Sequence, residues 1–153
     1  MENYETLNKL LVQLFRDVTD MEQKGISTPE FGDITNNDLH VIEAIGIGEP
    51  KNMSTIAREL SVTVGTLTIA MNSLVKKGYV ERTRGREDRR VVYISLSERG
   101  RRAYEEHARF HREMLESVIG ELTKEEQDTL IRALSRLQGW FQGRQRQRGT
   151  QDF

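Results

Sequence analysis

Residues 54–96, STIARELSVTVGTLTIAMNSLVKKGYVERTRGREDRRVVYISL, decide the fold. Ser54 can cap a short helix through Leu60, with Ile56, Ala57 and Leu60 facing inward. Ser61, Val62 and Thr63 form a turn, after which Leu67, Met71, Leu74 and Val75 restore helical spacing over about residues 64–77. Gly78 stops that helix, because glycine enters the left-handed conformation without a Cβ clash. Residues 79–84 and 90–96 are β-rich, and the GREDR between them is a charged hairpin tip. Two strands alone are marginal, so the hairpin must lean on the helices. Helix, turn, helix and hairpin in that order predict a winged helix-turn-helix, in a fold that is mainly α with a small β-hairpin wing.

Charge supports the reading. The chain carries a formal net charge of −1, yet residues 76–102 hold ten Lys/Arg against four Asp/Glu, and the remainder holds thirteen against twenty. Such a concentration is the footprint of a surface that meets phosphate.

Outward from this segment the pattern is helical. Leu7, Leu11, Leu14, Val18 and Met21 recur at three and four along residues 3–24, widened by Leu10 and Phe15. Residues 25–33, with Pro29 and two glycines, predict a loop. Thr35 can cap the next helix in a capping box with Asp38, burying Leu39, Ile42 and Ile45 until Gly46, Gly48 and Pro50 end it. Ser97 caps a long helix to about Ile119. Thr123, with Glu126 at the capping-box position, opens the last, whose stripe is Leu130, Leu134, Leu137 and Phe141. The first and last helices carry more apolar surface than one copy needs, which predicts a homodimer built from both ends of the chain.

At 153 residues a single domain is expected over residues 1–153, with the DNA-binding lobe at about 35–97, dimerisation helices at 1–24 and 98–146, and a frayed polar tail at 147–153. The acidic, amphipathic start does not resemble a signal peptide, and no apolar run approaches spanning length, so a soluble cytoplasmic protein without a membrane partner is expected. There is no cysteine, which excludes thiolate chemistry and disulfides. No glycine-rich phosphate loop and no nucleophile elbow occur, so an enzyme is not expected, nor is a resident cofactor.

A helix that enters the major groove needs short hydrogen-bonding residues on its outward face. Thr63, Thr66, Thr68 and Asn72 meet that need, and Gly65 allows close backbone approach. Asn72 can pair with adenine, Lys76 suits phosphate, and Ser54 is a further DNA-binding candidate. Arg82, Arg84, Arg86, Arg89 and Arg90 flank or occupy the hairpin tip, where a guanidinium can enter a narrow minor groove. Asp88 lies two residues before Arg90, close enough to hold its fork or to stabilise the turn. A structural DNA-packaging protein is the rival reading. It would need neither the base-reading threonines nor surplus apolar stripes, and its binding would ignore sequence.

The helix-turn-helix at residues 54–78, the DRRVVYISLSERG of residues 88–100 and the helices at both ends resemble the MarR family of winged-helix transcription regulators over essentially the whole chain. The resemblance implies a homodimer on a pseudopalindromic double-stranded DNA operator, with half-sites about one helical turn (roughly 10 bp) apart. VTVGTLTIAMNSLVKKGYVER and HARFHREM resemble, within that family, a repressor of fatty-acid synthesis genes whose corepressor is long-chain acyl-acyl carrier protein. That implies an acyl cavity between the first, second and fifth helices, with Leu11, Leu14, Phe15, Val18, Leu39, Ile42, Phe110 and Met114 as candidates. Apolar residues at helical spacing are more often plain core.

His107 and His111, four apart, project from one helix face, a geometry that can bind a metal. Resemblance to a zinc-uptake regulator of the same family would add Glu22 and His40, with zinc as the alternative effector. The ordinary role of such a pair is hydrogen bonding across a half-buried surface.

Overall fold

In the computed structural model, residues 2–26 and 28–149 are described. The order is α1 (Glu2–Ile26), α2 (Asn36–Ile45), β1 (Lys51–Asn52), α3 (Met53–Leu60), α4 (Val64–Lys76), β2 (Val80–Arg84), β3 (Val92–Leu96), α5 (Glu98–Gly120) and α6 (Lys124–Gly149). The mainly helical winged fold expected from the sequence is the observed one.

Two compact units divide the chain, Met1–His111 and Arg112–Phe153. The core of the first is built by the inward faces of α2, α3 and α4 with the sheet: Leu39, Ile42, Ile45, Ile56, Leu67, Met71, Leu74, Tyr79 and Ile94 are all fully buried. Their spacing follows the helical and strand periods, and burying each large side chain stabilises by about 1.5–3 kcal/mol. The loop expected at residues 25–33 is shorter and less passive. α1 runs to Ile26, and Ile26, Phe31 and Ile34 enter the core.

Caps set most of the boundaries. The Thr35 side chain accepts from the Asp38 amide at 3.1 Å, and the Asp38 carboxylate accepts from the Thr35 amide, completing the capping box. Gly46 and Gly78 take φ of +67° and +83°, the region where a Cβ is strained. Ser61, at the turn between α3 and α4, takes φ +55° without being glycine. Ser54 is not the cap of α3. Asn52 is: its Oδ1 accepts from the Thr55 amide at 2.8 Å, two residues earlier than the sequence suggested.

The wing has a third strand. Antiparallel pairs Lys51↔Ile94 and Asn52↔Tyr93 join β1 to β3, which pairs on its other edge with β2 from Val80↔Leu96 to Arg84↔Val92. The marginal two-strand hairpin is thereby secured beside the helix-turn-helix. Gly85 closes the loop, because a Cβ there would lie 2.6 Å from the Asp88 carbonyl oxygen.

In the second unit, Thr123 and Glu126 form the expected reciprocal cap, the Thr123 amide donating to Glu126 at 2.8 Å. Hydrogen bonds from the Thr123 amide, and then from its hydroxyl, hold the Glu126 carboxyl below its ordinary value. The tail expected from residue 147 onward continues as helix to Gly149, and residues 150–153 lie outside the described residues.

Candidate nucleic-acid interface

The outward stripe of α4 is Gly65, Ile69, Asn72 and Lys76, all exposed at spacings of four, three and four, opposite the buried Leu67, Met71 and Leu74. Thr63 sits at the N-cap. Its hydroxyl accepts from the Thr66 amide at 3.1 Å and donates to Thr66 Oγ1 at 2.9 Å. Thr63 is therefore committed to capping, while the hydroxyl proton of Thr66 stays available to a base. Thr68 is half-buried and donates to the Val64 carbonyl at 2.8 Å, so it retains only acceptor capacity and its methyl. Ser54 is exposed on α3.

Asn72 departs from expectation. Its Oδ1 accepts from Arg82 of β2, so the two-pronged pairing with adenine, which needs both oxygen and nitrogen, is not set up. The amide NH₂ remains as a pair of donors. The contact also joins recognition helix to wing, bringing two predicted site residues into one unit.

On the wing, Arg82, Arg84, Arg86, Arg89 and Arg90 are all exposed. Asp88 does both things expected of it. One carboxylate oxygen accepts from the Arg90 backbone amide at 3.0 Å, fixing the turn, and from Arg90 Nε at 3.2 Å. At such exposure the ion pair itself is worth little, so its use is orientation.

Beneath this surface lies a clamp that sequence patterns did not disclose. Lys77 Nζ, just past α4, donates at 2.8 Å to both the Asp33 carbonyl and the buried Asp38 carboxylate. Arg99 of α5 donates to the Lys77 and Glu30 carbonyls and stacks 4.3 Å from the Tyr79 ring centre. Tyr79 donates to Asp33, and burial together with that carboxylate raises its phenol far above the ordinary value. Gly100 completes the joint, since a Cβ there would collide with the Tyr79 carbonyl oxygen. Arg99 and Gly100 belong to the SERG stretch, the one sequence signal for this clamp.

The effector candidates separate into groups. Leu11, Leu14 and Phe15 are exposed and Val18 is half-buried, whereas Leu39 and Ile42 are members of the core. Phe110 packs its ring on Gly25, where a Cβ would lie 2.6 Å from the ring. Met114, in the second unit, is half-buried.

Of the metal candidates, Glu22, His107 and His111 come together, each offering a donor atom within 4.8 Å of the others. His111 Nε2 lies 2.6 Å from Glu22. His107 is 5% exposed and its Nε2 lacks a hydrogen-bond partner, although a Glu43 oxygen lies 3.9 Å away. Burial first, and then the neighbouring His111, lower the His107 pKa, with Glu43 and Glu22 opposing. An orphaned buried imidazole beside a carboxylate and a second imidazole fits a nitrogen- and oxygen-liking divalent ion. His40 is not in the set. It is exposed and lines a separate hollow of about 260 Å³ with Val41, Leu60, Val62, Thr66 and Ala70.

The MarR family model matches residues 32–91. FabT of Streptococcus pneumoniae, solved in complex with DNA, superposes with a TM-score of 0.87 and is 34% identical, covering 92% of this chain and 98% of that one. The transcriptional regulator AdcR of the same organism is 33% identical over 109 residues, 69% of this chain and 74% of AdcR. The HTH-type transcriptional regulator YwhA of Bacillus subtilis is 34% identical over 82 residues, and that match spans 59% of YwhA. These relatives are transcription regulators rather than enzymes. Likeness in sequence and likeness in fold agree, and the chain belongs to the MarR family of winged-helix transcription regulators.

Proposed function

We propose that the chain is a homodimeric repressor that binds double-stranded DNA at a pseudopalindromic operator of fatty-acid synthesis genes, with long-chain acyl-acyl carrier protein as corepressor. The observation that carries this reading is the outward face of α4 beside an arginine-bearing wing, in a chain 34% identical to FabT over nearly all of FabT's length. Thr66 and the Asn72 amide offer donors to base edges, Lys76 and the wing arginines offer cations to phosphate and minor groove, and Asp88 orients Arg90. Two copies are needed to read two half-sites. Exposed apolar residues favour pairing: Leu7, Leu11, Leu14 and Phe15 on α1, and Leu130, Ile131, Leu134, Leu137, Trp140 and Phe141 on α6. No described helix is long and apolar enough to cross a membrane.

The test is fluorescence anisotropy of the full chain on promoter DNA from fatty-acid synthesis genes, with and without long-chain acyl-acyl carrier protein, alongside sedimentation equilibrium. The expected result is a dimer whose DNA affinity rises with the acylated carrier and not with the unacylated one. Tight sequence-specific binding that ignores the acyl chain would overturn the effector and leave the reader standing. Binding without sequence preference would favour a packaging protein.

The cluster of Glu22, His107 and His111, with its partnerless imidazole nitrogen, favours a second reading, a zinc-responsive regulator in which His40 would have to swing inward or Glu43 supply a fourth ligand. Calorimetric titration with zinc at neutral pH separates the two: binding heat lost in His107→Gln supports the metal, and no heat with no thermal stabilisation ends it.

A further inference from the structure

Ile69 is 75% exposed in the middle of the outward stripe of α4, a position where a branched aliphatic side chain gains nothing from the core. Helical Cα–Cβ bonds tilt toward the N-terminus, so Ile69 leans over the preceding turn. That turn holds Gly65, and even an added Cβ there would meet nothing closer than Thr63 Oγ1 at 4.0 Å. The result is an open apolar shelf bordered by polar groups whose hydrogen-bonding capacity is already partly assigned. Thr66 keeps a hydroxyl proton, and Asn72, its oxygen held by Arg82, keeps only amide donors. In the major groove the sole apolar group is the C5 methyl of thymine, and beside it thymine carries the O4 acceptor.

From this we infer that Ile69 is a specificity-determining residue, which seats on the C5 methyl of one thymine in each half-site while neighbouring donors meet base acceptors. The inference rests on the reading of α4 as a DNA recognition helix. It assigns discrimination to a residue that a search for short hydrogen-bonding side chains passes over.

The experiment begins by selecting duplexes from a random pool with the full chain. Each thymine of the best duplex is then replaced singly by deoxyuridine, which removes only the methyl, and affinities are measured for the wild type and for Ile69→Ala. At one symmetry-related thymine per half-site, deoxyuridine should weaken wild-type binding about fourfold, the weight of one buried methyl group. Ile69→Ala should bind thymine and deoxyuridine duplexes equally there. Because Ile69 is exposed, the variant should keep the wild-type unfolding midpoint. If no thymine shows methyl dependence while the selected duplex still outcompetes a scrambled one, the inference is overturned and the DNA reader survives. Methyl dependence that persists in Ile69→Ala overturns it equally. If the selected and scrambled duplexes bind alike, the recognition helix itself has been misread.

Discussion

At the scale of single residues, function is divided by what each polar group has already spent. Thr63 closes the N-terminus of α4, the Thr68 hydroxyl donates to the Val64 carbonyl, and the Asn72 oxygen accepts from Arg82, which leaves Thr66, Ile69 and the Asn72 amide facing outward. Residue types and spacing made α4 legible as a helix with an outward polar face. They could not reveal this division of labour, because a threonine that caps and one whose hydroxyl proton is free look identical in sequence. That the wing arginines would stand exposed was legible from charge alone. Replacing Arg89 or Arg90 by Ala should weaken operator binding by about 1–3 kcal/mol and flatten its salt dependence, measured by anisotropy across a salt series. Unchanged affinity and slope in both variants would remove the wing from recognition.

At the scale of elements, the helices were visible in the periodicity of apolar residues, and Thr35, Ser97 and Thr123 were legible caps. Ser97 indeed accepts from the Gly100 amide at 3.1 Å. The misplaced cap of α3 has a simple origin. Asn52 lies in a two-residue strand too short to leave any period, so the next polar residue, Ser54, looked like the boundary. Two glycines show how differently the same residue can serve an element. Gly100→Ala should destabilise the first unit by about 1–3 kcal/mol, because its methyl meets the Tyr79 carbonyl, a backbone atom with no freedom to move aside. Gly65→Ala fills open space and should leave stability equal or raise it by up to about 0.5 kcal/mol, yet weaken DNA binding by blocking the shelf beneath Ile69. Chemical denaturation with anisotropy on the same samples checks both, and a Gly65→Ala variant with full affinity would show that the backbone need not approach the groove.

For the whole molecule, fold and class of function were legible in the chain, while the burial of the effector candidates was not. Leu39 and Ile42 illustrate the reason: a core residue and a pocket residue obey the same helical period, and only burial separates them. The histidines were legible by spacing, but that His40 stands apart while Glu22 joins depended on helix placement. His107 couples this region to global stability. Its folded pKa lies below the ordinary 6.5, so the unfolded chain binds more protons in the interval between the two values. Its share of stability is complete above about pH 6.5 and declines as pH falls through that value toward the folded one. Melting temperature should therefore drop between about pH 7.5 and about pH 5.5, by less in His107→Gln, and identical pH profiles for the two proteins would sink that assignment.

The clamp of Lys77, Asp38, Tyr79, Arg99 and Asp33 holds the reading head in one shape, because turning α4 would break a partly buried ion pair, a cation stacked on an aromatic ring and several bonds to carbonyls at once. In the proposed dimer, two stiff heads form a pair of calipers, whose span an effector would alter while each point stays unchanged. Effector response should then depend on operator pitch. Inserting one base pair between half-sites turns one of them by roughly a tenth of a helical turn, and that change should shift the ratio of effector-bound to effector-free affinity more than any base change inside a half-site.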